Sequence, residues 1–329
     1  MTVATITRIL PAGETAVTEA AHALAAGGLV AFPTETVYGL GADATNARAV
    51  ALIYQAKGRP AFNPLISHVA DLDAAQRIGR FDDTALKLAH AFWPGPLTLV
   101  LPKTRDCAVA ELATAGLDTI AIRIPSHPLA RAILSAFGKP VVAPSANLSG
   151  HVSPTTAAHV RSDLDGRIDL IVDGGPVDVG VESTIVGCFE APMLLRPGGL
   201  PREEIERVLG GALALAPADA ESESSQPLAP GMLSSHYAPR TRVRLDATSV
   251  APAEALLAFG PEIASAQDSV AVMNLSPQGD LNEAAANLFG YLRALDARRA
   301  RTIAVMPIPS HGLGEAINDR LRRAAVGRE

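Results

Sequence analysis

Lys57-Gly58-Arg59 sets two cations one residue apart at the end of a helical run, and the irregular Gly/Pro stretch that follows carries Asn63 and then His68. Lys57 is one of only four lysines against 24 arginines. A planar guanidinium fork beside an ammonium point charge suits a polyphosphate, although cations closing a helix also compensate its macrodipole. A second segment, Pro33-Thr34-Glu35-Thr36-Val37-Tyr38-Gly39-Leu40-Gly41, follows a candidate strand. It places hydroxyls and glycine turns at the strand's C-terminal end, where open α/β sheets bind ligands; a glycine turn with Thr caps accounts for it equally well. Gly39, Gly41 and Ala44 satisfy GxGxxA. The first glycine lies several residues beyond the strand, however, and no acidic residue ends a second strand about 20 residues on, which argues against a dinucleotide site.

Arg123 lies inside the apolar run 119–124, which Thr119 opens. An arginine there either snorkels or meets an anion, and we read it as a carboxylate ligand. Ser145 and Asn147 follow the apolar run that ends at Ala143, again setting small polar groups at a strand end. Ser153-Pro154-Thr155 suits a helix N-cap, a role compatible with ligand binding. Asp173-Gly174-Gly175, Glu182-Ser183-Thr184 and Arg196-Pro197-Gly198 each pair polar groups with glycine or a strand end. Trp93-Pro94-Gly95-Pro96 reads as a packing turn. GxSxG, HExxH and GxxxxGK[ST] are all absent, which excludes the usual serine-hydrolase elbow, a zincin helix and a P-loop.

The elements that must hold these residues alternate between short β-branched runs and Ala-rich helical ones, the pattern of an α/β fold. Strands are expected at 29–32, 65–68, 97–101, 119–124, 141–143, 170–172 and 184–186, and helices at 16–26, 47–57, 84–92, 128–137 and 156–162. The strands lack clean polar alternation, as expected when both faces are covered. Further on, 243–245, 270–273 and 302–306 read as strands. The run 280–299 reads as a helix, with Leu281, Ala285, Leu288, Leu292 and Leu295 spaced along one face.

The chain has 329 residues, 48% hydrophobic, and a formal net charge of -6, which disfavours a dedicated nucleic-acid binder. The charge divides into -2 over residues 1–202, -5 over 203–237 and +1 over 238–329. The acidic, Ala/Ser-rich middle therefore reads as a linker. Cys107 and Cys188 stand alone, without CxxC, which fits a reducing, cytoplasmic setting. No export signal or membrane span is recognised. The arginines at 298, 299, 301, 320, 322 and 323 read as a solvated face rather than a protein or RNA contact.

Taken in order, PTETVYGLG, KGRPAFNPL with His68, WPGPLTLVL, TIAIRIPSHP, VVAPSANLSGHVSPT, DGG with GVESTIV, and LLRPGG resemble the YrdC/Sua5 family of threonylcarbamoyl-AMP synthases over residues 15–205. The stretches PGMLSSHYAP and GLGEAINDRL resemble its long, two-domain form. The resemblance implies an α/β architecture: a YrdC-like twisted mixed-sheet domain with flanking helices over 1–210, an interdomain linker or lid over 211–239, and a smaller Rossmann-like α/β domain over 240–329. It implies a nucleotidyltransferase. L-threonine and bicarbonate or CO₂ form N-carboxythreonine, whose carboxylate attacks the α-phosphate of ATP and releases pyrophosphate. A separate transferase would use the product for t6A at adenosine 37 of tRNA; direct tRNA contact is left open.

By the same resemblance Arg59, Asn63, Thr119, Ser145, Ser153, Arg196 and Tyr237 would contact ATP. Lys57 with Arg59 would neutralise phosphate charge, and Mg²⁺ would arrive on the ATP phosphates rather than on protein ligands. Thr36, His68, Arg123, Ala143 and Ser183 would hold L-threonine. A carbamate oxygen is already anionic, so its adenylation needs charge neutralisation and alignment more than a strong base. Two other readings compete. A carbamoyl-adenylate-forming relative would be expected to carry Cys-rich zinc elements, which are missing here. An RNA-binding or ribosome-assembly module is disfavoured by the negative charge of residues 1–202.

Overall fold

The structure, a computed structural model, describes residues 6–215, 237–261 and 269–326. The first part of the chain runs β1 (Arg8–Pro11), α1 (Glu14–Ala25), β2 (Val30–Pro33), β3 (Tyr38–Asp43), α2 (Ala47–Lys57), β4 (Ile66–His68), α3 (Leu72–Ile78), α4 (Asp83–Phe92) and β5 (Leu97–Pro102). It continues through β6 (Thr119–Arg123), α5 (Pro128–Phe137), β7 (Val141–Val142), α6 (Ala157–Leu164), β8 (Leu170–Asp173), β9 (Thr184–Cys188), β10 (Pro192–Arg196), α7 (Arg202–Leu209) and β11 (Ala214–Leu215). The later part comprises β12 (Arg242–Arg244), β13 (Glu254–Ala258), β14 (Val272–Asn274), α8 (Leu281–Asp296), β15 (Thr302–Val305) and α9 (Leu313–Ala325).

β1 to β11 form one mixed sheet in the order β1-β8-β2-β3-β7-β4-β6-β5-β9-β10-β11. Parallel pairs such as β4 with β6 and β5 with β9 alternate with antiparallel ones such as β3 with β7 and β5 with β6. The apolar strands send side chains into cores on both faces, as their lack of alternation requires: Leu40, Leu99 and Ile122 belong to one, Val30, Val141 and Val172 to another. The second sheet, β12-β15-β13-β14, is entirely parallel. The apolar stripe of α8, Leu288, Leu292 and Leu295 with Phe289, is completely buried, and each such side chain contributes roughly 1.5–3 kcal/mol. That core also takes in Val37, Val152 and Val181 from the first part of the chain, so the two sheets are joined by shared apolar packing.

The expected fold class is the one observed. Three local readings differ. The segment 38–43 is a strand rather than a pair of glycine turns: β2 and β3 form an antiparallel hairpin in which Phe32 faces Gly39 and Val30 faces Gly41 across the ladder. A Cβ on Gly41 would come within 2.7 Å of the Phe32 ring, so glycine serves close packing there. Strands β1, β10, β11 and β13 and helices α3, α7 and α9 were not anticipated. In α9 the reason is plain, since Asp319, Arg320 and Arg323 lie on its buried face, and charges at core positions hide the apolar period. Arg320 and Arg323 are accordingly not part of a solvated face. The expected linker and lid fall mainly on residues 216–236, which lie outside the described residues, as do residues 230–236 of the PGMLSSHYAP match.

Candidate active site

The β2–β3 hairpin turn is tied by its own hydroxyls. Thr34 Oγ1 donates to the Val37 carbonyl at 2.7 Å and accepts from the Thr36 and Val37 amides. With that proton committed, the 2.8 Å contact between the two hydroxyls has Thr36 Oγ1 donating to Thr34 Oγ1. The lone pairs of Thr36 then accept Nη1 of Arg123 at 2.9 Å. Arg123 ends β6, donates Nε to the Gly95 carbonyl at 3.3 Å and sets Nη2 2.7 Å from Glu35 Oε1. Both charges are buried. Burial works to raise the Glu35 pKa, and Arg123 together with backbone hydrogen bonds at Glu35 and Ser126 more than reverses it, leaving the carboxyl below its usual range. His68, at the end of β4, places Nδ1 3.2 Å from the Ile66 carbonyl, and burial, reinforced by Arg123, lowers its pKa to about 3. The imidazole is neutral at pH 7.

On the other side, Arg196 at the end of β10 donates Nη2 to the Ser183 carbonyl at 2.8 Å and to Ser183 Oγ at 3.3 Å, and Ser183 Oγ lies 2.8 Å from Thr98 Oγ1. Glycine is required behind this strand. A Cβ on Gly198 would fall 2.4 Å from backbone atoms of Glu182, Ser183 and Thr184. Arg59, just beyond the left-handed Gly58 that ends α2, donates to the carbonyls of Pro64 at 3.1 Å and Asn63 at 3.4 Å. It has no carboxylate partner among the described residues. Burial, assisted by Arg196, pulls its pKa down to about 10, and Arg196 is lowered by burial as well. For Arg59 this is the mark of a buried cation short of negative charge.

Thr36, Arg59, His68 and Arg123 line one cavity together with Ala143, Ser145, Ser183, Arg196 and Tyr237. Glu182, Val37, Ile66 and Pro144 complete its wall. Nine of the anticipated residues therefore converge from segments that are far apart in sequence. Four do not line it. The Lys57 ammonium is buried behind the loop after β7, donating to the carbonyls of Ser145 at 2.6 Å and Asn147 at 2.5 Å. Asn63 is buried, with Oδ1 lacking a hydrogen-bond partner among the described residues. Ser153 is fully buried, its Oγ donating to Glu182 Oε1 at 2.5 Å. Thr119 begins the strand that Arg123 ends, roughly 13 Å away at the usual strand rise.

The cavity holds about 50 Å³, room for a few waters, so a larger ligand requires a wall to move. A wider cleft of about 1020 Å³, lined by Arg240, Arg242, Arg299 and Arg301 among others, lies elsewhere and takes none of the anticipated residues. Glu182, the carboxylate of the cavity wall, is already committed to Arg320 at 2.8 Å, and Glu35, behind Thr36, to Arg123 at 2.7 Å. Neither is left to hold a cation, and a cation carried in by a nucleotide's phosphates fits this donor set. Among the described residues no three His, Cys, Asp or Glu side chains form a metal-binding group, and no helix is long and apolar enough to cross a membrane.

Glu35 and Glu182 received no role from sequence reasoning, nor did Arg320. The signal for Glu35 was its place between Thr34 and Thr36 in an otherwise uncharged segment, combined with the need of a strand arginine for a counter-charge. Arg320 gave no such signal, because its partner Glu182 is 138 residues away.

Comparison with known proteins agrees with this geometry. The telomere-recombination family model that groups Sua5, YciO and YrdC matches residues 22–198, and the model of the threonylcarbamoyl-AMP synthase C-terminal domain matches residues 200–326. The threonylcarbamoyl-AMP synthase of Bacillus subtilis is 42% identical over 98% of this chain and 96% of its own length. That of Pyrococcus abyssi is 44% identical over 91% of each. A crystal structure of P. abyssi Sua5 complexed with L-threonine superposes with a TM-score of 0.88 at 39% identity, covering 98% of both chains. With both family models matched and relatives this similar over nearly their whole length, the chain belongs to the Sua5/YrdC family, in the form that carries a Sua5-type C-terminal domain.

Proposed function

We propose that this chain is a threonylcarbamoyl-AMP synthase, converting L-threonine, bicarbonate or CO₂ and ATP to threonylcarbamoyl-AMP and pyrophosphate. The observation that carries the reading is the cavity's charge. Arg123 is balanced by Glu35, whereas Arg59 is buried with carbonyl partners alone. Buried cations of this kind are costly unless an anion meets them, and the phosphates of ATP are such an anion. Arg59 and Arg196 would hold the phosphates, with Ser145 and Tyr237 beside the nucleotide. Lys57, Asn63 and Ser153 would shape that wall from behind. Thr119 is too far along its strand to join them without rearrangement.

Threonine would sit on the hairpin side. Arg123 has donor capacity beyond Glu35 and Thr36 for the amino acid's carboxylate, and Ser183, the neutral His68 and the backbone at Ala143 lie around it. Placing a carbamate oxygen of N-carboxythreonine in line with the α-phosphate, between Arg59 and Arg196, would let the new P–O bond form as the bond to pyrophosphate breaks, with the two guanidiniums stabilising the charge that develops. Mg²⁺ would enter with ATP. Closure of the wall near Tyr237 would exclude water from the labile mixed anhydride, before its transfer to an enzyme that modifies tRNA.

The test is pyrophosphate release by the purified protein, with L-threonine and bicarbonate supplied together and singly, and mass detection of the adenylate. Release that requires both co-substrates is the expected result. Turnover indifferent to threonine overturns the proposal.

A further inference from the structure

We infer that the wide cleft between the two domains binds the phosphodiester backbone of a folded nucleic acid, held by Arg240, Arg242, Arg299 and Arg301. The inference goes beyond the proposed reaction and does not rest on it.

The cleft holds about 1020 Å³, and both parts of the chain line it, the first through residues such as His151 and Asp163, the second through the four arginines. Arg242 opens β12 and pairs with Thr302, which opens β15. The segments bearing Arg240 with Arg242 and Arg299 with Arg301 therefore enter the parallel sheet side by side, on strands about 4.8 Å apart. All four arginines are exposed, and among the described residues none of their side chains has a hydrogen-bond or ion-pair partner. The carboxylates that could neutralise them are taken. Asp163 and Asp296, the two that line the cleft, meet Arg293 at 2.8 Å and the Thr241 amide at 2.7 Å, and Glu254, on which Arg301 acts, meets Arg244 at 2.6 Å.

Two further features point to a ligand. Arg299 holds a left-handed backbone, φ 54°, which is uncommon for a residue with a side chain. Nε of Arg293, which also lines the cleft, is buried without a hydrogen-bond partner among the described residues, and such a group calls for an explanation in a native fold.

Exposure and composition set the ligand class. Exposed guanidiniums hold a lone anion weakly in water, whereas each one that meets a phosphate of a polyanion releases a condensed counterion and adds to affinity. No Phe, Tyr or Trp lines the cleft, so unpaired bases find no ring to stack on and recognition falls to the backbone of a paired region. The trough also runs past the size of a small-molecule site: a second cavity of about 320 Å³, reaching residues 324–326, shares Arg240, Thr241 and Arg242 with the first. The chain's acidic excess lies elsewhere, with -5 over residues 203–237 against +1 over 238–329. Arg299 and Arg301, which in sequence read as a solvated face, thus line a cleft.

The experiment measures binding of the full-length protein to a labelled RNA hairpin, and to the DNA hairpin of the same sequence, by fluorescence anisotropy over a range of salt, with tripolyphosphate as competitor. The variants are Arg240→Gln with Arg242→Gln, Arg299→Asn with Arg301→Gln, all four together, and a control, Arg48→Gln with Arg105→Gln, that removes two exposed arginines outside the cleft. Each cleft pair should weaken hairpin binding at least threefold and the quadruple variant at least tenfold, with the salt slope of log K reduced by about three to four. The control should stay within twofold. Threonine-dependent pyrophosphate release should be unchanged in every variant, because none of these arginines lines the catalytic cavity. If the quadruple variant fails to fold, the two pair variants decide. Tighter binding of the RNA hairpin names RNA as the source of the backbone and equal binding of both names the backbone alone; each upholds the cleft. A wild type that binds neither hairpin, a control that loses as much as the cleft pairs, or displacement of the hairpin by tripolyphosphate at equal phosphate concentration overturns the inference. Hairpin binding without threonine-dependent turnover refutes the proposed function and leaves this inference standing.

Discussion

Lys57→Met separates two ways in which the ammonium could serve the reaction. The Lys57 Nζ donates to the carbonyls of Ser145 and Asn147 at 2.6 and 2.5 Å, with Asn147 Oδ1 further off at 3.4 Å, and the Ser149 amide returns a hydrogen bond to the Lys57 carbonyl at 2.8 Å. Burial, together with Arg59, pushes its pKa well below the ordinary lysine value, against which Asp163 acts. Methionine keeps most of the length and leaves two buried carbonyls unmet, at about 1–3 kcal/mol each. Relief from burying a charge offsets part of that, for a net loss of about 2–4 kcal/mol. In a domain of this size each kcal/mol moves the melting temperature by roughly 2–4 °C, so scanning calorimetry should show a fall of roughly 5–15 °C. Pyrophosphate release at saturating ATP should fall with it, because the loop bearing Ser145 loses its anchor. A variant that melts within 2 °C of wild type yet has lost turnover would refute the reasoning and make the ammonium a direct ligand of substrate.

Arg123→Met should abolish threonine binding by calorimetry and lower stability by about 3 kcal/mol, since it strands Glu35 as a buried charge; adding Glu35→Gln should recover the stability in a thermal melt but not the binding. Gly198→Ala forces backbone at 182–184 to move from contacts of 2.4 Å and should cost about 3 kcal/mol or more with loss of turnover, whereas Gly211→Ala, with nothing within 4 Å, should melt within a degree or two of wild type. Acidification is expected to destabilise the fold through His68, whose pKa burial lowers to about 3. Its contribution is complete above the unfolded value near 6.5 and drains away as pH falls toward the folded value, amounting to about 2 kcal/mol by pH 5. A melting temperature that is flat from pH 7 to 5, or one that falls equally in His68→Asn, would contradict this.

Much of the site was legible because its residues stand at strand ends in short polar segments between apolar runs. Thr36, His68, Ser145, Ser183 and Arg196 could be singled out that way, Arg59 as a cation closing a helix and Arg123 as a charge inside an apolar run, and in the fold they meet in one cavity. Their gathering depends on the antiparallel pairing of β3 and β4 with β7 and on the parallel pairings of β4 with β6 and of β5 with β9. Local pattern carries no information about which strands pair. The hairpin at 30–43 was misread because its glycines answer to packing against Phe32 and Ala143, neighbours brought there by the sheet.

From the residues alone came the α/β class, the buried character of the strands, the cation-rich and hydroxyl-rich candidates, and the ordered motifs that mark the family. These are local properties, set by side-chain chemistry and periodicity within a few residues. Only the tertiary structure decided that the Lys57 ammonium is turned onto a loop, that Glu35 neutralises Arg123, and that Arg320 reaches Glu182 across 138 residues of chain. Each of these outcomes is a pairing of buried charges or hydrogen-bonding groups. A buried charge takes whichever partner the fold brings within a few ångströms, and the spacing of residues along the chain does not specify that distance.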